Sequence, residues 1–333
     1  MTMGSHQPVA MVAGGAGFVG SHLCDALLAR GMRVICVDNF STGRTENVAP
    51  LFNDRRFRMI RADVTQDIPE PIDTIDWLFN LASPASPLHY QEDPVRTMMT
   101  NVTGTHNLLT LARRHGARFV QASTSEVYGD PDVHPQREDY RGNVNPIGPR
   151  ACYDEGKRAA EALCFDYLRA GHADVRVARI FNTYGPRMRA DDGRIVSNLI
   201  VQAIEGQPLT VYGDGSQTRS FCYVSDLVRG LVALMQVDKG PAGPINLGNP
   251  GEISIMALAR LVQQAVPTRS DIVLRDLPQD DPRRRQPDIG QAERVLGWAP
   301  QVPLDRGLAL TAAWFAIARN RTRQGAELAR PAE

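Results

Sequence analysis

The sequence has no excess of charge of either sign and no long apolar run. Its 333 residues include 37 Lys and Arg and 37 Asp and Glu, so the formal net charge is zero. Such a chain has no overall positive field to attract nucleic acid or an anionic membrane surface. No apolar stretch approaches the length that spans a bilayer. We therefore predict no nucleic-acid and no membrane partner, and an anionic ligand would need a local site.

Cysteine is scarce and scattered along the chain. No two cysteines form a CxxC pair, and none has a histidine nearby at ligand spacing: Cys24, Cys36, Cys152, Cys164 and Cys222. This pattern argues against a disulfide framework or a structural zinc site, so we predict no metal. Residues 1–7 are polar and run directly into an apolar stretch, unlike a secretory signal peptide. Reduced thiols without such a signal indicate the cytoplasm.

The first half of the chain alternates short apolar runs with helical patterns. Apolar runs that predict strands lie at 8–13, 34–38, 57–60, 77–81 and 118–123. Helical periodicity follows the first run up to Gly31 and precedes the fifth. Strands that alternate with helices indicate an α/β protein with a Rossmann-type, doubly wound parallel sheet.

From about residue 181 the chain becomes rich in Gly, Pro and Arg, but strand and helix patterns return near 223–235 and 245–247. We therefore predict a Rossmann domain over residues 8–180, completed by about 222–250. A smaller, discontinuous lobe is predicted over about 181–221 and 251–318. Residues 319–333 lose the apolar period and are predicted to form a frayed tail.

A glycine-rich turn joins the first predicted strand to the first predicted helix. Gly14, Gly17 and Gly20 form a G-x-x-G-x-x-G pattern, which allows a tight turn and a close approach to a pyrophosphate at the helix N-terminus. Such a turn alone is also compatible with a purely structural role. Asp38 ends the second strand, where its carboxylate can bind the adenosine ribose. Because that acid repels a 2′-phosphate, the pattern favours NAD over NADP, and only the nearby Arg44 argues otherwise.

A second constellation points to proton transfer. Tyr153 and Lys157 are four residues apart, on one face of a helix. An ammonium beside a phenol lowers the phenol's pKa and makes it a base for a substrate hydroxyl. Taken alone, the pair is equally an exposed Tyr and a solvated Lys. Thr124 follows the fifth strand, at the sheet edge where active sites form, and can share that hydroxyl.

These features resemble the extended short-chain dehydrogenase/reductase superfamily. Five longer segments are similar to the UDP-glucuronate decarboxylases (UDP-xylose synthases), and they lie at 81–87, 123–129, 148–158, 179–187 and 281–288. The resemblance covers residues 9–315. Ala13 departs from the Thr usual before the glycines. Gly156 replaces the Ser common in Y-x-x-S-K, a change typical of this subgroup.

The resemblance implies decarboxylation of UDP-glucuronate to UDP-xylose and CO2. Direct loss of CO2 from C5 would leave an unstabilised carbanion, whereas a C4 ketone makes a β-keto acid whose electrons enter the carbonyl. NAD, recycled within the site, is then the only cofactor required. Two alternatives stay open: the same reaction on a dTDP-linked sugar, and 4-epimerisation of UDP-glucuronate, which shares the first oxidation.

By the same resemblance, Tyr153 removes the C4 hydroxyl proton, Thr124 orients the hydroxyl, and Lys157 lowers the phenol's pKa and holds the nicotinamide ribose. Glu126 and Arg285 serve the decarboxylation half, with their division of roles open. The other predicted cofactor residues are Gly14, Gly17, Phe18, Val19, Asp38, Asn39, Phe40, Thr42, Gly43, Asp63, Leu81, Ala82 and Ser83. The predicted substrate residues, with Arg219 and Arg285 at the diphosphate, are Pro84, Tyr90, Ser125, Asn182, Arg194, Tyr212, Arg219 and Arg285.

Two other functions fit the residues less well. Sugar-nucleotide 4,6-dehydratases carry an Asp-Glu pair after the Thr, but here Ser125 stands in place of the acid. A non-catalytic dinucleotide-binding scaffold is disfavoured because every catalytic position is filled. The resemblance also implies a homodimer, since relatives pair through the Tyr/Lys helix and its neighbour. Residues 101–112 and 153–168 are apolar enough for such an interface.

Overall fold

The computed structural model describes residues 7–69, 74–276 and 285–328, with side chains up to residue 320. Its strands are β1 (Val9–Ala13), β2 (Arg33–Asp38), β3 (Phe57–Arg61), β4 (Trp77–Asn80), β5 (Arg118–Thr124), β6 (Asp174–Ile180), β7 (Thr183–Tyr184), β8 (Leu209–Tyr212), β9 (Thr218–Ser220), β10 (Cys222–Tyr223), β11 (Ile245–Leu247), β12 (Glu252–Ser254) and β13 (Ile272–Arg275). Its helices are α1 (Phe18–Ala29), α2 (Thr45–Val48), α3 (Pro87–Glu92), α4 (Pro94–His115), α5 (Ala151–Arg169), α6 (Ile195–Glu205), α7 (Val224–Gln236), α8 (Ile255–Ala265), α9 (Gly290–Leu296) and α10 (Leu304–Leu328).

Seven strands form one parallel sheet in the order β11-β6-β5-β4-β1-β2-β3. The strand order reverses between β1 and β4, and ligands bind at this switch point in sheets of this kind. The predicted Rossmann-type sheet is therefore confirmed.

The sheet is covered on both faces, which explains its continuous apolar strands. Successive side chains of β1 point to opposite faces. Val9 and Met11 pack in a core cluster with α4 residues such as Leu108. Ala10 and Val12 pack in the other cluster, with residues of α1 and α7. Both layers hold β1 rigidly at the centre of the sheet.

Helix α4 has clear boundary signals. The Asp93 side chain accepts a hydrogen bond from the Arg96 N–H at 3.0 Å, and Gly116 ends the helix with φ 64°. A polar N-cap and a left-handed glycine after the last turn are typical of stable helix ends. Helix α5 packs along α4, so these two long helices place Tyr153 and Lys157 against the end of β5.

A second layer lies beyond the carboxyl ends of the sheet strands. Strand β8 pairs with β13 and β9 with β12, while α6, α8 and α10 pack together. As expected, residues 245–247 return to the main sheet through β11. Helix α9 contacts α7 and β11, so residues 290–296 lie against the sheet, although we expected them in the second lobe. The division of the chain into two lobes stays a prediction.

The last helix extends further than expected. Helix α10 continues to Leu328, past residue 319, where we expected a frayed tail to begin. Residues 319–328 have few apolar positions but are mostly strong helix formers, so intrinsic propensity continues a helix that its amphipathic pattern no longer supports. Residues 329–333 lie outside the described residues. Within the described chain, none of the helices is sufficiently long and apolar to span a membrane.

Candidate active site

A cavity of about 930 Å³ opens at the carboxyl ends of the sheet strands and extends to the second layer. Most predicted site residues line it: Gly14, Gly17, Phe18, Val19, Asp38, Asn39, Thr42, Leu81, Ala82, Ser83, Pro84, Tyr90, Thr124, Ser125, Glu126, Tyr153, Lys157, Asn182, Arg194, Tyr212, Arg219 and Arg285. A cleft with convergent polar groups is the usual form of a small-molecule site.

Three predicted cofactor residues do not line this cavity: Phe40, Gly43 and Asp63. The Phe40 N–H donates to Asp38 Oδ1 at 2.8 Å, and Asn39 Nδ2 donates to Asp63 Oδ2 at 2.9 Å. A Cβ at Gly43 would lie 2.8 Å from the Asp38 carboxylate. Phe40, Asp63 and Gly43 therefore support the loop after β2 from outside the cavity.

The turn after β1 requires glycine for two different reasons. Gly14 has φ 76°, and a Cβ there would lie 2.7 Å from the Leu81 backbone. A Cβ at Gly20 would lie 2.1 Å from the Gly14 carbonyl oxygen. Helix α1 starts at Phe18 without a side-chain cap, so its first N–H groups remain free to bind phosphate oxygens.

Asp38 supplies the carboxylate of the predicted nucleotide site. Its Oδ2 accepts the Ala16 N–H at 2.9 Å and its Oδ1 accepts the Phe40 N–H. Burial raises the pKa of Asp38, and these two backbone hydrogen bonds act in the opposite direction. A glycine cradle at a helix N-terminus beside an acid at the end of β2 fits a dinucleotide.

Tyr153, Lys157 and Thr124 are brought together as predicted. Tyr153 and Thr124 share a hydrogen bond, and Lys157 Nζ donates to the Ala122 carbonyl at 2.8 Å. Burial raises the pKa of Tyr153 to about 12, and the Thr124 hydrogen bond and the Arg194 charge are the main influences that lower it. Lys157 Nζ lies 5.8 Å from the centroid of the Tyr153 ring, and its role in lowering the phenol's pKa stays a prediction. Burial lowers the pKa of Lys157 to about 8, because desolvation disfavours the ammonium.

Glu126 lies one turn beyond β5 and is bound by two arginines. Arg285 Nη1 is 3.0 Å from Glu126 Oε1, and Arg150 Nη2 contacts Glu126 Oε2. Burial acts to raise the pKa of Glu126, but the charges of Arg285, Arg150 and Arg219 outweigh it and hold that pKa below its ordinary value. Glu126 is therefore ionised at neutral pH, directly beside the Thr124–Tyr153 pair.

Comparison with known proteins places this site in a family. The NAD dependent epimerase/dehydratase family matches residues 10–248. The chain belongs to the NAD dependent epimerase/dehydratase family. Its predicted cofactor, NAD, is the one that the family's description names, so that prediction is confirmed.

Relatives within the NAD dependent epimerase/dehydratase family confirm the predicted resemblance. The chain is 58% identical over 300 residues to UDP-glucuronic acid decarboxylase 4 of Arabidopsis thaliana, covering 90% of this chain and 67% of that protein. It is 55% identical to UDP-glucuronic acid decarboxylase 1 of Xenopus tropicalis, covering 92% of this chain and 71% of that protein. The chain thus spans about two thirds of the length of the Arabidopsis relative. A solved UDP-glucuronic acid 4-epimerase from Bacillus cereus has a TM-score of 0.82 and 30% identity, covering 93% of this chain and 99% of that chain.

Sequence reasoning missed two residues of this family member's site. Arg150 binds Glu126 from the N-terminus of α5, and Asp154 lies one turn further, its Oδ2 4.0 Å from Arg150 Nε. Asp154 Oδ1 is buried without a hydrogen-bond partner. Burial, followed by the Glu126 charge, raises the pKa of Asp154 to about 7. Both residues lie in the segment 148–158, of which only Tyr153 and Lys157 were predicted as site residues.

The predicted substrate residues divide into two groups. Tyr90 stacks on Tyr153, with ring centroids 5.0 Å apart and planes at 4°, so its ring supports the catalytic phenol. Asn182, Arg194, Tyr212 and Arg219 also line the cavity, with Arg194 close enough to Tyr153 and Arg219 close enough to Glu126 for their charges to act on those residues. Residues 281–284 of the predicted 281–288 motif lie outside the described residues. Within the described chain, no cluster of three His, Cys, Asp or Glu side chains could hold a metal ion.

Replacing Asp154 by Asn should stabilise the protein at about pH 8 but not at about pH 4. The native carboxyl binds its proton near pH 7, whereas the ordinary pKa is 3.8. The native state therefore holds the extra proton between these values, and the wild type loses stability as pH rises through this window. The gain in D154N at about pH 8 should reach at most about 4 kcal/mol in urea unfolding. The exposed D139N variant should show no pH-dependent gain, and equal curves for D154N and wild type would contradict the raised pKa.

Proposed function

We propose that the protein is a UDP-glucuronate decarboxylase that forms UDP-xylose and CO2 with internally recycled NAD. The observation that carries this proposal is the ionised Glu126, clamped by Arg285 and Arg150, immediately beside the Thr124–Tyr153 pair. A proton-transfer pair at one sugar carbon and a carboxylate-binding cluster next to it suit a reaction that couples oxidation at C4 to loss of a carboxylate at C5. The relatives from Arabidopsis and Xenopus support this substrate.

Bound NAD supplies reversible oxidation at C4, which makes the sugar a β-keto acid and later restores its hydroxyl. Tyr153 receives the C4 hydroxyl proton, and Thr124 fixes the phenol in line with that hydroxyl. A phenol with a pKa of about 12 keeps its own proton in the free site, so Tyr153 must lose that proton before it can accept the one from C4. The ammonium of Lys157, 5.8 Å from the centroid of the Tyr153 ring, and the positive charge that oxidised NAD would bring both favour this ionisation. Tyr153 then returns the proton to the C4 oxygen when the ketone is reduced.

The arginines act on the carboxylate at C5. Arg285 and Arg150 both line the cavity beside Glu126, so their guanidinium groups can bind the sugar carboxylate and set the angle at which CO2 leaves. After CO2 has left, C5 takes up a proton. Because Glu126 is ionised, it does not supply that proton itself, but it can orient the water that does. This division of roles between Arg285 and Glu126 is part of the proposal.

The cavity also offers positive partners for the diphosphate of a UDP-sugar. Arg219 and Arg194 line it, and so does Tyr212 of β8. Forked guanidinium groups bind phosphate oxygens well.

Incubation with NAD and UDP-glucuronate should release CO2 and form UDP-xylose in equal amounts, with little net reduced cofactor, as measured by NMR of the sugar and trapped CO2. Y153F should lower the rate at least about a hundredfold, since general base catalysis contributes that much or more. The matched Y167F variant alters a tyrosine of the same helix that contacts Thr110 and His106 and does not line the cavity, so it should keep its activity. Formation of a galacturonate product without CO2 would instead identify the 4-epimerase.

We also propose a homodimer formed through α4 and α5. Helix α4 presents an apolar row in which Val95 is 72% and Met99 45% exposed. Cys152 and Pro149 extend the same surface at the start of α5. Large apolar side chains exposed in a row are typical of a protein interface.

Light scattering should give twice the monomer mass of 36.6 kDa. M99E should shift the protein towards the monomer, because it places a charge within the apolar row. L310E changes a side chain of equal 45% exposure on α10 and should leave the dimer intact. A monomer at all concentrations, or equal effects of both variants, would contradict this interface.

We further propose a cytoplasmic location. All of the cysteines, which lie within the described chain, are free thiols, and four of them are buried. Unpaired cysteines are typical of a reducing compartment.

A further inference from the structure

The pair formed by Glu126 and Arg285 joins two distant parts of the chain. Glu126 belongs to the turn Ser125–Tyr128, and Arg285 begins a segment that pairs with the rest of the chain through an isolated bridge between Gln136 and Pro287. A single bridge only weakly constrains the position of the buried Arg285 guanidinium relative to the Glu126 carboxylate. Other groups must therefore hold this segment in place.

Asn246 binds both parts at once. It lies in the middle of β11 with 0% exposure. Its Oδ1 accepts a hydrogen bond from Tyr128 Oη at 2.8 Å, and its Nδ2 donates to the carbonyls of Gln136 and Asp288, both at 3.0 Å. Tyr128 is two residues from Glu126, and Asp288 is three residues from Arg285.

Gln136 continues the same connection. Its backbone N–H donates to the Gln286 carbonyl at 2.9 Å, and its Oε1 accepts the Gln286 N–H at 2.8 Å. Its carbonyl also accepts the Asp288 N–H at 2.9 Å. The Arg285 carbonyl is separately bound by Ser220 Oγ at 3.2 Å. The segment that carries Arg285 is thus tied to the turn of Glu126 through neutral amides.

The side chain of Asn246 has one acceptor and two hydrogens to donate, and this site uses all of them. A leucine of similar size would remove the partner of the Tyr128 phenol and of the Asp288 carbonyl, and would leave the Gln136 carbonyl with the Asp288 N–H alone. Unpaired buried groups are costly, so the turn and the segment would shift apart to recover partners. Asn246 does not line the cavity, so such a shift would be its only effect on substrate.

We propose that Asn246 is a positioning residue that holds Glu126 and Arg285 in register for the decarboxylation half of the reaction. This inference rests on the proposed function. The oxidation half depends on Tyr153 of α5 and Thr124 at the end of β5, and the side chain of Asn246 bonds neither of them. Loss of Asn246 should therefore slow decarboxylation more than oxidation.

N246L should lower the rate of CO2 release from UDP-glucuronate between about tenfold and about a hundredfold, as small misplacements of reacting groups do. Its KM should change by less than about threefold, since the diphosphate contacts remain. In a single turnover, the near-ultraviolet absorbance of reduced cofactor should accumulate, because C4 oxidation outruns loss of CO2. Y128F removes one of the three hydrogen bonds and should give a smaller effect in the same direction, which keeps the test available if N246L does not fold.

Q263L is the matched control, since it removes a remote amide that donates to the Ser270 carbonyl at 2.8 Å. It should leave CO2 release and cofactor reduction unchanged. The positioning role is overturned if N246L releases CO2 at the wild-type rate. It is also overturned if oxidation and decarboxylation slow equally, or if Q263L matches the loss.

A second readout separates this inference from the proposed function. The unfolding free energies of N246L, R285M and the double variant should be non-additive, because Asn246 holds the segment that delivers Arg285. If the wild type released no CO2, the proposed function would fail. The positioning role would then be tested by the unfolding free energies of these variants alone. Additive changes would overturn it.

Discussion

An ionised carboxylate next to the catalytic phenol sets the main constraint on this structure. Glu126 loses most of its contact with water, which costs free energy unless opposite charges replace that water. Arg150 provides one such charge from the start of α5, and Arg285 provides the other from a distant segment. The second layer of the fold must therefore close against the sheet closely enough to deliver Arg285.

The strand order explains how one cavity can accommodate both a cofactor and a sugar. Reversal between β1 and β4 opens the sheet edge, and the glycine turn and Asp38 bound the cofactor side of that opening. Strand β5 ends on the other side, where Thr124 meets Tyr153 and the next turn presents Glu126. A sugar held between the two sides can contact both NAD and the charged cluster.

The parts of the site that the sequence predicted correctly depend on local geometry. Glycines at Gly14 and Gly17 and the four-residue spacing of Tyr153 and Lys157 determine their own arrangement within one turn. The doubly wound parallel sheet also followed from the alternating strand and helix patterns, whereas its strand order came from the structure. In contrast, the pKa of Tyr153 depends on burial by the whole fold, which four-residue spacing along a helix does not predict. The contact of α9 with β11 is likewise tertiary and has no local signal.

Charged neighbours were the hardest features to foresee. Arg150 and Asp154 are ordinary polar residues of a helix until the end of β5 brings Glu126 beside them. Likewise, the hydrogen bonds of Asn246 and Gln136 form only because the fold brings β11 next to the segment that contains Arg285. The roles of such residues depend on contacts between distant segments, and spacing along the chain does not predict those contacts.

The ionisation state of Glu126 tests the account most directly. Isotope-edited NMR of the side-chain carboxyl would measure its pKa in the wild type and in R285M. We expect a midpoint below the ordinary 4.5 in the wild type and a higher one in R285M, because removal of the Arg285 charge leaves burial to act on the carboxyl. A wild-type midpoint at or above 4.5, or no change in R285M, would contradict the central role of the Glu126–Arg285 pair.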